Sequence, residues 1–190
     1  FLELRSAEYP DRKCALLSVT STVKALQALA ASYRNELRTK VIGITGSVGK
    51  TSTKEMLRAA LPASGATHAS AASFNNHWGV PLTLARMPRD TAFGVFEIGM
   101  NHAGEITPLV GMVQPHVGII TTIAASHLGH FKSLDEIADA KAEIFSGIVP
   151  GGHAVICRDT PYFERLTTAA PAAGVVNIVS FGKSPDADVR

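Results

Sequence analysis

Five short apolar runs mark the chain, "KVIGIT" at 40–45, "GVFEIG" at 94–99, "VGIITTI" at 117–123, "HAVIC" at 153–157 and "VVNIVSFG" at 175–182. The stretches between them carry apolar residues at helical spacing. Residues 22–37 place Val23, Leu26, Leu29, Ala30, Tyr33 and Leu37 on one face. "KTSTKEMLRAAL" reads as a helix stopped near Pro62, and "GEITPLVGMV" as a short one that Pro108 interrupts. In residues 133–148, Ser133 and Glu136 form a capping box, and Ile137, Ala140, Ile144 and Ile148 supply an inner face. Pro161 suits the first turn of a helix through Leu166. Strands apolar on both sides, alternating with helices, predict an α/β fold: a mostly parallel sheet with helices on both faces. Residues 1–20 fit none of this alternation and read as the tail of a preceding domain.

The 190 residues are 46% hydrophobic and 18% charged, which suits a globular protein. A net charge of +2 without a Lys/Arg block argues against a nucleic-acid partner, but leaves room for a local anion site. Cys14 and Cys157 lack metal or redox spacing and read as free thiols of a reducing compartment. No apolar run reaches membrane-spanning length, and "FLELRSAEYPDRK" is not a signal peptide. The absent starting Met and the end soon after a strand suggest a piece of a longer protein.

The stretch "VIGITGSVGKTSTK", residues 41–54, joins a strand to a helix, where open α/β sheets bind ligands. Gly46 and Gly49 allow the backbone to curl so that N–H groups point inward. The helix start adds its positive end, Lys50 a charge near the outer phosphates, and Thr51 a hydroxyl for magnesium. A nucleoside triphosphate site spanning Thr45, Gly46, Ser47, Val48, Gly49, Lys50, Thr51 and Ser52 is the expectation. The strict pattern G-x-x-x-x-G-K-[ST] is not met, because Ile44 stands six residues before Lys50. An ordinary loop with a surface lysine is the plainer alternative. A dinucleotide site would need a different glycine spacing and gives Lys50 no role.

A second group follows the later strands. Glu97, a carboxylate in an apolar run, calls for a cationic partner, and magnesium is one candidate. His127 follows the third strand as a metal ligand, a phosphate contact or a structural hydrogen bonder. Lys141 lies on the inner side of a helix, where it can also simply snorkel. Asn75, Asn76 and His77 precede "WGVPLTL" and either recognise a polar ligand or cap a helix near Pro81; His102 has the same ambiguity.

The blocks "GITGSVGKTSTKEML", "NNHWGVPLTL", "FEIGMNHAGEI", "ITTIAASHLGHFKSLDEIADAKAEIF" and "FGKSPDADVR", in this order, resemble the Mur ligases. The likeness runs from about residue 15 to the end. It is greatest to members that join D-alanyl-D-alanine to UDP-N-acetylmuramoyl-tripeptide in the cytoplasm. It implies a truncated P-loop-type ATPase central domain over residues 39–190. Residues 1–38 would end an N-terminal substrate domain and its linker, and the C-terminal domain would lie outside this chain. It also implies ATP and Mg2+, an acyl-phosphate intermediate and a monomer. By motif, Thr51 and Glu97 would bind one magnesium, and His127 a second. Lys141 matches a lysine that several Mur ligases carbamylate; Lys50, His127 and Lys141 would act in catalysis. Ser52 and Thr53 would extend the phosphate loop, and Asn76, with Asn75, would approach the muramoyl peptide. Ser126, the Cys157/Thr160 pair and "VTSTVKAL" depart from the family pattern. A folylpolyglutamate- or cyanophycin-type ligase, or a nucleotide-binding module without catalysis, are the alternatives.

Overall fold

The computed structural model describes residues 3–4, 17–125 and 129–190. A two-residue antiparallel pair, β1 (Glu3–Leu4) with β2 (Leu17–Ser18), precedes the main body. There, α1 (Thr22–Glu36) is followed by β3 (Lys40–Thr45), α2 (Lys50–Ala60) and β4 (Thr67–Ala69). Next come α3 (Gly79–Ala85), β5 (Phe93–Glu97), α4 (Ile106–Val113) and β6 (Val117–Ile120). The order closes with α5 (Leu134–Ala142), β7 (His153–Cys157), α6 (Phe163–Ala172) and β8 (Asn177–Phe181).

The six strands β3 to β8 form one sheet in the order β4-β5-β3-β6-β7-β8, and every pairing is parallel. Each of the five expected runs overlaps a strand. The sixth, β4, was not read from the sequence because "THA" is too short and too polar to stand out from a loop. Right-handed crossovers put α2 on one face and the later helices on the other, because the chain reverses its direction of travel across the sheet after β4. The packing agrees: α2 lies against β3, β4 and β5, whereas α1, α3 and α4 pack on one another and α5 packs on α6.

The core runs from Val41 and Phe96 in the sheet to Ile106, Val110, Ile137, Ile144 and Phe145 in the helices, all at 0% exposure. Pro108 does not break α4. It is the third residue of the helix, where its missing N–H has no intrahelical partner to lose. The segment after Ser133 is helical, but its last part, Glu143–Gly147, tightens into a 3-10 turn. Ser133 Oγ accepts the Glu136 N–H as expected of a capping box; Glu136 reaches back one residue further, to the N–H of Lys132. Helix α6 starts at Phe163, so Pro161 sits just ahead of it.

Candidate functional site

The parallel register decides which residues meet. On one side of β3, Ile44 lies opposite Glu97; on the other, Thr45 lies opposite Ile120. The glycine turn, the end of β5 and the segment after β6 therefore share the carboxyl rim of the sheet, with β3 at the point where the chain switches sides.

The turn is tied down from β6. Thr121 Oγ1 donates to the carbonyls of Thr45 (3.2 Å) and Val48 (2.7 Å). Ser47 N–H donates to Thr122 O, and Ser47 Oγ exchanges hydrogen bonds with the backbone of Ala124. Gly46 has φ +146°, and a Cβ there would lie 1.9 Å from Thr121 Oγ1. Gly49, at φ +87°, opens α2 in the left-handed region. Both glycines thus hold backbone conformations that a side chain would strain. Thr45 is fully buried, and its Oγ1 has no hydrogen-bond partner among the described residues.

Lys50 Nζ folds back to donate to Gly46 O at 2.8 Å. Burial pushes its proton affinity down, and the negative charge of Glu97 partly restores it. Glu97 is 1% exposed. Its Oε2 accepts from Thr51 Oγ1 at 3.0 Å, and its Oε1 from Asn75 Nδ2 at 2.8 Å. Both partners are neutral side chains, and the carboxylate lies at the mouth of the glycine turn. That donor set, a hydroxyl and a carboxylate oxygen side by side, is hard-oxygen chemistry that fits magnesium. Among the described residues no three His, Cys, Asp or Glu side chains gather as a metal-holding group. A magnesium here would need water or substrate oxygens to complete its shell.

Lys141 is 2% exposed on α5. Desolvation, and then the nearby charge of Lys50, push its amine down to about 8. Lys50, Asn75, Asn76, Glu105 and Lys141 line one cavity of about 510 Å³. Its floor includes the apolar Met100, Pro108 and Leu109. Asn76 also does the capping work that the sequence left open: its Oδ1 accepts the N–H groups of Trp78 and Gly79 at the head of α3. His102 Nδ1 is 3.1 Å from Glu105 Oε1, and its ring lies 4.3 Å from that of His130. Ser52 is exposed in the first turn of α2. His127 lies outside the described residues.

Three supports escaped the sequence reading. Thr121 braces the turn from 73 positions beyond Val48. Glu143 accepts the N–H groups of Gly104 and Thr107 and so fixes the loop ahead of α4. Lys54 is buried at 0% exposure on α2. Only Lys54 left a local signal: it continues the stripe of Lys50, Leu57 and Leu61, so a lysine stands at a core position.

Residues 44–190 match the model of the Mur ligase middle domain. The chain is 39% identical over 178 residues to the UDP-N-acetylmuramoyl-tripeptide–D-alanyl-D-alanine ligase of Rickettsia prowazekii, covering 94% of this chain and 40% of that protein. The fold matches a crystal structure of MurF from Acinetobacter baumannii with a TM-score of 0.84 at 38% identity, over 92% of this chain and 38% of that one. It also matches the MurF ligase of Thermotoga maritima in complex with ADP, with a TM-score of 0.78 at 28% identity, over 87% and 38% of the two chains. The chain thus spans about two fifths of the relatives' length. With this family's middle-domain pattern over most of its length, the chain belongs to the Mur ligase family.

Proposed function

We propose that this chain is the central part of an ATP-dependent carbon–nitrogen ligase that joins D-alanyl-D-alanine to UDP-N-acetylmuramoyl-tripeptide, a cytoplasmic step of peptidoglycan precursor synthesis. The observation that carries the reading is the convergence of Lys50, Thr51 and Glu97 at the glycine turn, with Lys50 and Lys141 lining one cavity. The likeness to a ligase named for this reaction, and to one crystallised with ADP, supports it. Residues 1–38 are then the end of a substrate domain and its link, with α1 of the link laid against the middle domain. Residues 39–190 are the larger part of the ATP-binding domain.

In this reading the tripeptide carboxylate forms a bond to the γ-phosphorus of ATP as the bond to the bridging oxygen breaks and ADP leaves. The amine of D-alanyl-D-alanine then attacks the acyl phosphate, loses a proton and expels phosphate. Negative charge builds on the moving phosphoryl group, and the turn from Thr45 to Ser52, with its N–H groups and the Lys50 amine, is the part of this chain that opposes it. Thr51 and Glu97 would hold a magnesium ion, which supplies further charge neutralisation when bound. His127 is assigned to a second metal by its motif. A lowered proton affinity gives Lys141 more of the neutral amine that adds carbon dioxide, the chemistry that would turn it into a metal-binding carbamate. Asn75 and Asn76 line the same cavity and would approach the muramoyl peptide.

The test is phosphate release from ATP by the full-length protein. Release is expected only when UDP-N-acetylmuramoyl-tripeptide and D-alanyl-D-alanine are both present, and Lys50→Ala should abolish it. Equal turnover with a single amino acid in place of the dipeptide would contradict the assignment.

A further inference from the structure

Lys54 is a buried cation one helical turn beyond Lys50. Its three ammonium protons have three acceptors: Ser70 O at 3.0 Å, Ala72 O at 2.6 Å and Glu55 Oε1 at 3.2 Å. It is the only fully buried residue of α2, the helix of the glycine turn. Both carbonyls belong to the segment that leaves β4. Ala72 holds φ +46° there, a left-handed conformation unusual for alanine, which something must hold in place. Three residues on, Asn75 donates its amide to Glu97 while its carbonyl accepts the Gly99 N–H. Ser70 touches the same strand end, because its Oγ accepts the Glu97 N–H at 3.4 Å.

We propose that Lys54 is a positioning residue that locks the segment 70–75 to the helix of the glycine turn, and through Asn75 sets the Glu97 carboxylate for its cation. Thr51 approaches Glu97 from α2 and Asn75 approaches it from this segment. Lys54 joins these two elements to each other. Without it, the two halves of the carboxylate's cradle are free to shift apart. The proposal rests on the reading of Thr51 and Glu97 as a divalent-cation site.

The experiment measures Mn2+ affinity of the full-length protein in the presence of ADP, by electron paramagnetic resonance, for wild type, Lys54→Met, Asn75→Ala and the double variant. Lys54→Met keeps the aliphatic stem and removes the charge and the donors. Loss of such a support typically weakens metal binding about tenfold or more. That loss is expected here, and the double variant should be no weaker than Asn75→Ala alone, because both changes act on one carboxylate. Wild-type affinity in Lys54→Met, or losses that multiply in the double variant, would overturn the proposal while leaving the site's reading intact. A wild-type protein that holds no Mn2+ with ADP would overturn both. Should Lys54→Met not fold, Lys54→Gln, which keeps two donors on a shorter arm, is measured in the same way. A smaller loss, again absent in the Asn75→Ala background, supports the proposal, and unchanged affinity overturns it.

Discussion

A methyl group at position 46 would overlap the hydroxyl of Thr121, which lies 1.9 Å from where the Cβ would be. The left-handed backbone there adds strain of about 1–3 kcal/mol for any residue with a side chain. Gly46→Ala is therefore expected to weaken ADP binding by about tenfold or more, and calorimetric titration of the full-length variant measures it. Thr121 would have to move, and its bonds to Thr45 and Val48 would go with it. The residues of the turn were legible because they are neighbours in the sequence: glycines, lysine and threonine within one strand-to-helix passage state their own geometry. Glu97 was legible as a charge in an apolar run. What the sequence could not state was its company. The expected partner was a cation, but the contacts observed are a hydroxyl and an amide, with the Lys50 charge acting at longer reach. Thr121 and Glu143 carried no signal because each acts on a segment tens of residues away.

Among the elements, strands rich in β-branched residues were read correctly, whereas β4, built from Thr67, His68 and Ala69, was not. Hydrophobic pattern reports burial, and β4 is an edge strand that is only half buried. Histidines that carried no argument in the sequence turn out to tie elements together. His116 Nδ1 accepts the Val41 N–H at 3.1 Å, linking the starts of β6 and β3. Burial, then the charges of Lys40 and Arg34, push this imidazole below its ordinary value. The unfolded chain therefore takes up the proton more readily than the folded one. The stability from this contact is complete above about pH 6.5 and is lost as pH falls through the lower folded-state value. Urea unfolding of wild type should show a decline below about pH 6.5. The decline should be smaller in His116→Asn, whose side-chain oxygen accepts a hydrogen bond without titrating. Equal declines in the two proteins would remove His116 from this role.

At the scale of the whole molecule, strand order creates the site. The chain leaves β3 toward β4 and β5 and then crosses to β6, so the rim of β3 faces a crevice between diverging connections. Alternation predicted the parallel sheet, but not which strand would be central, since periodicity carries no information about neighbours. The resemblance of separate sequence blocks, rather than their periodicity, was what joined Lys50, Glu97 and Lys141 into one expectation. In the structure Glu97 lies opposite Ile44 at the strand end, and Lys50 and Lys141 line one cavity. The most direct measurement is anomalous diffraction from crystals of the full-length protein grown with Mn2+ and a nonhydrolysable ATP analogue. A manganese peak within coordinating distance of Thr51 Oγ1 and the Glu97 carboxylate is expected, with the triphosphate on the N–H groups of residues 48–51. A nucleotide bound at another edge of the sheet, with no metal near Glu97, would contradict it.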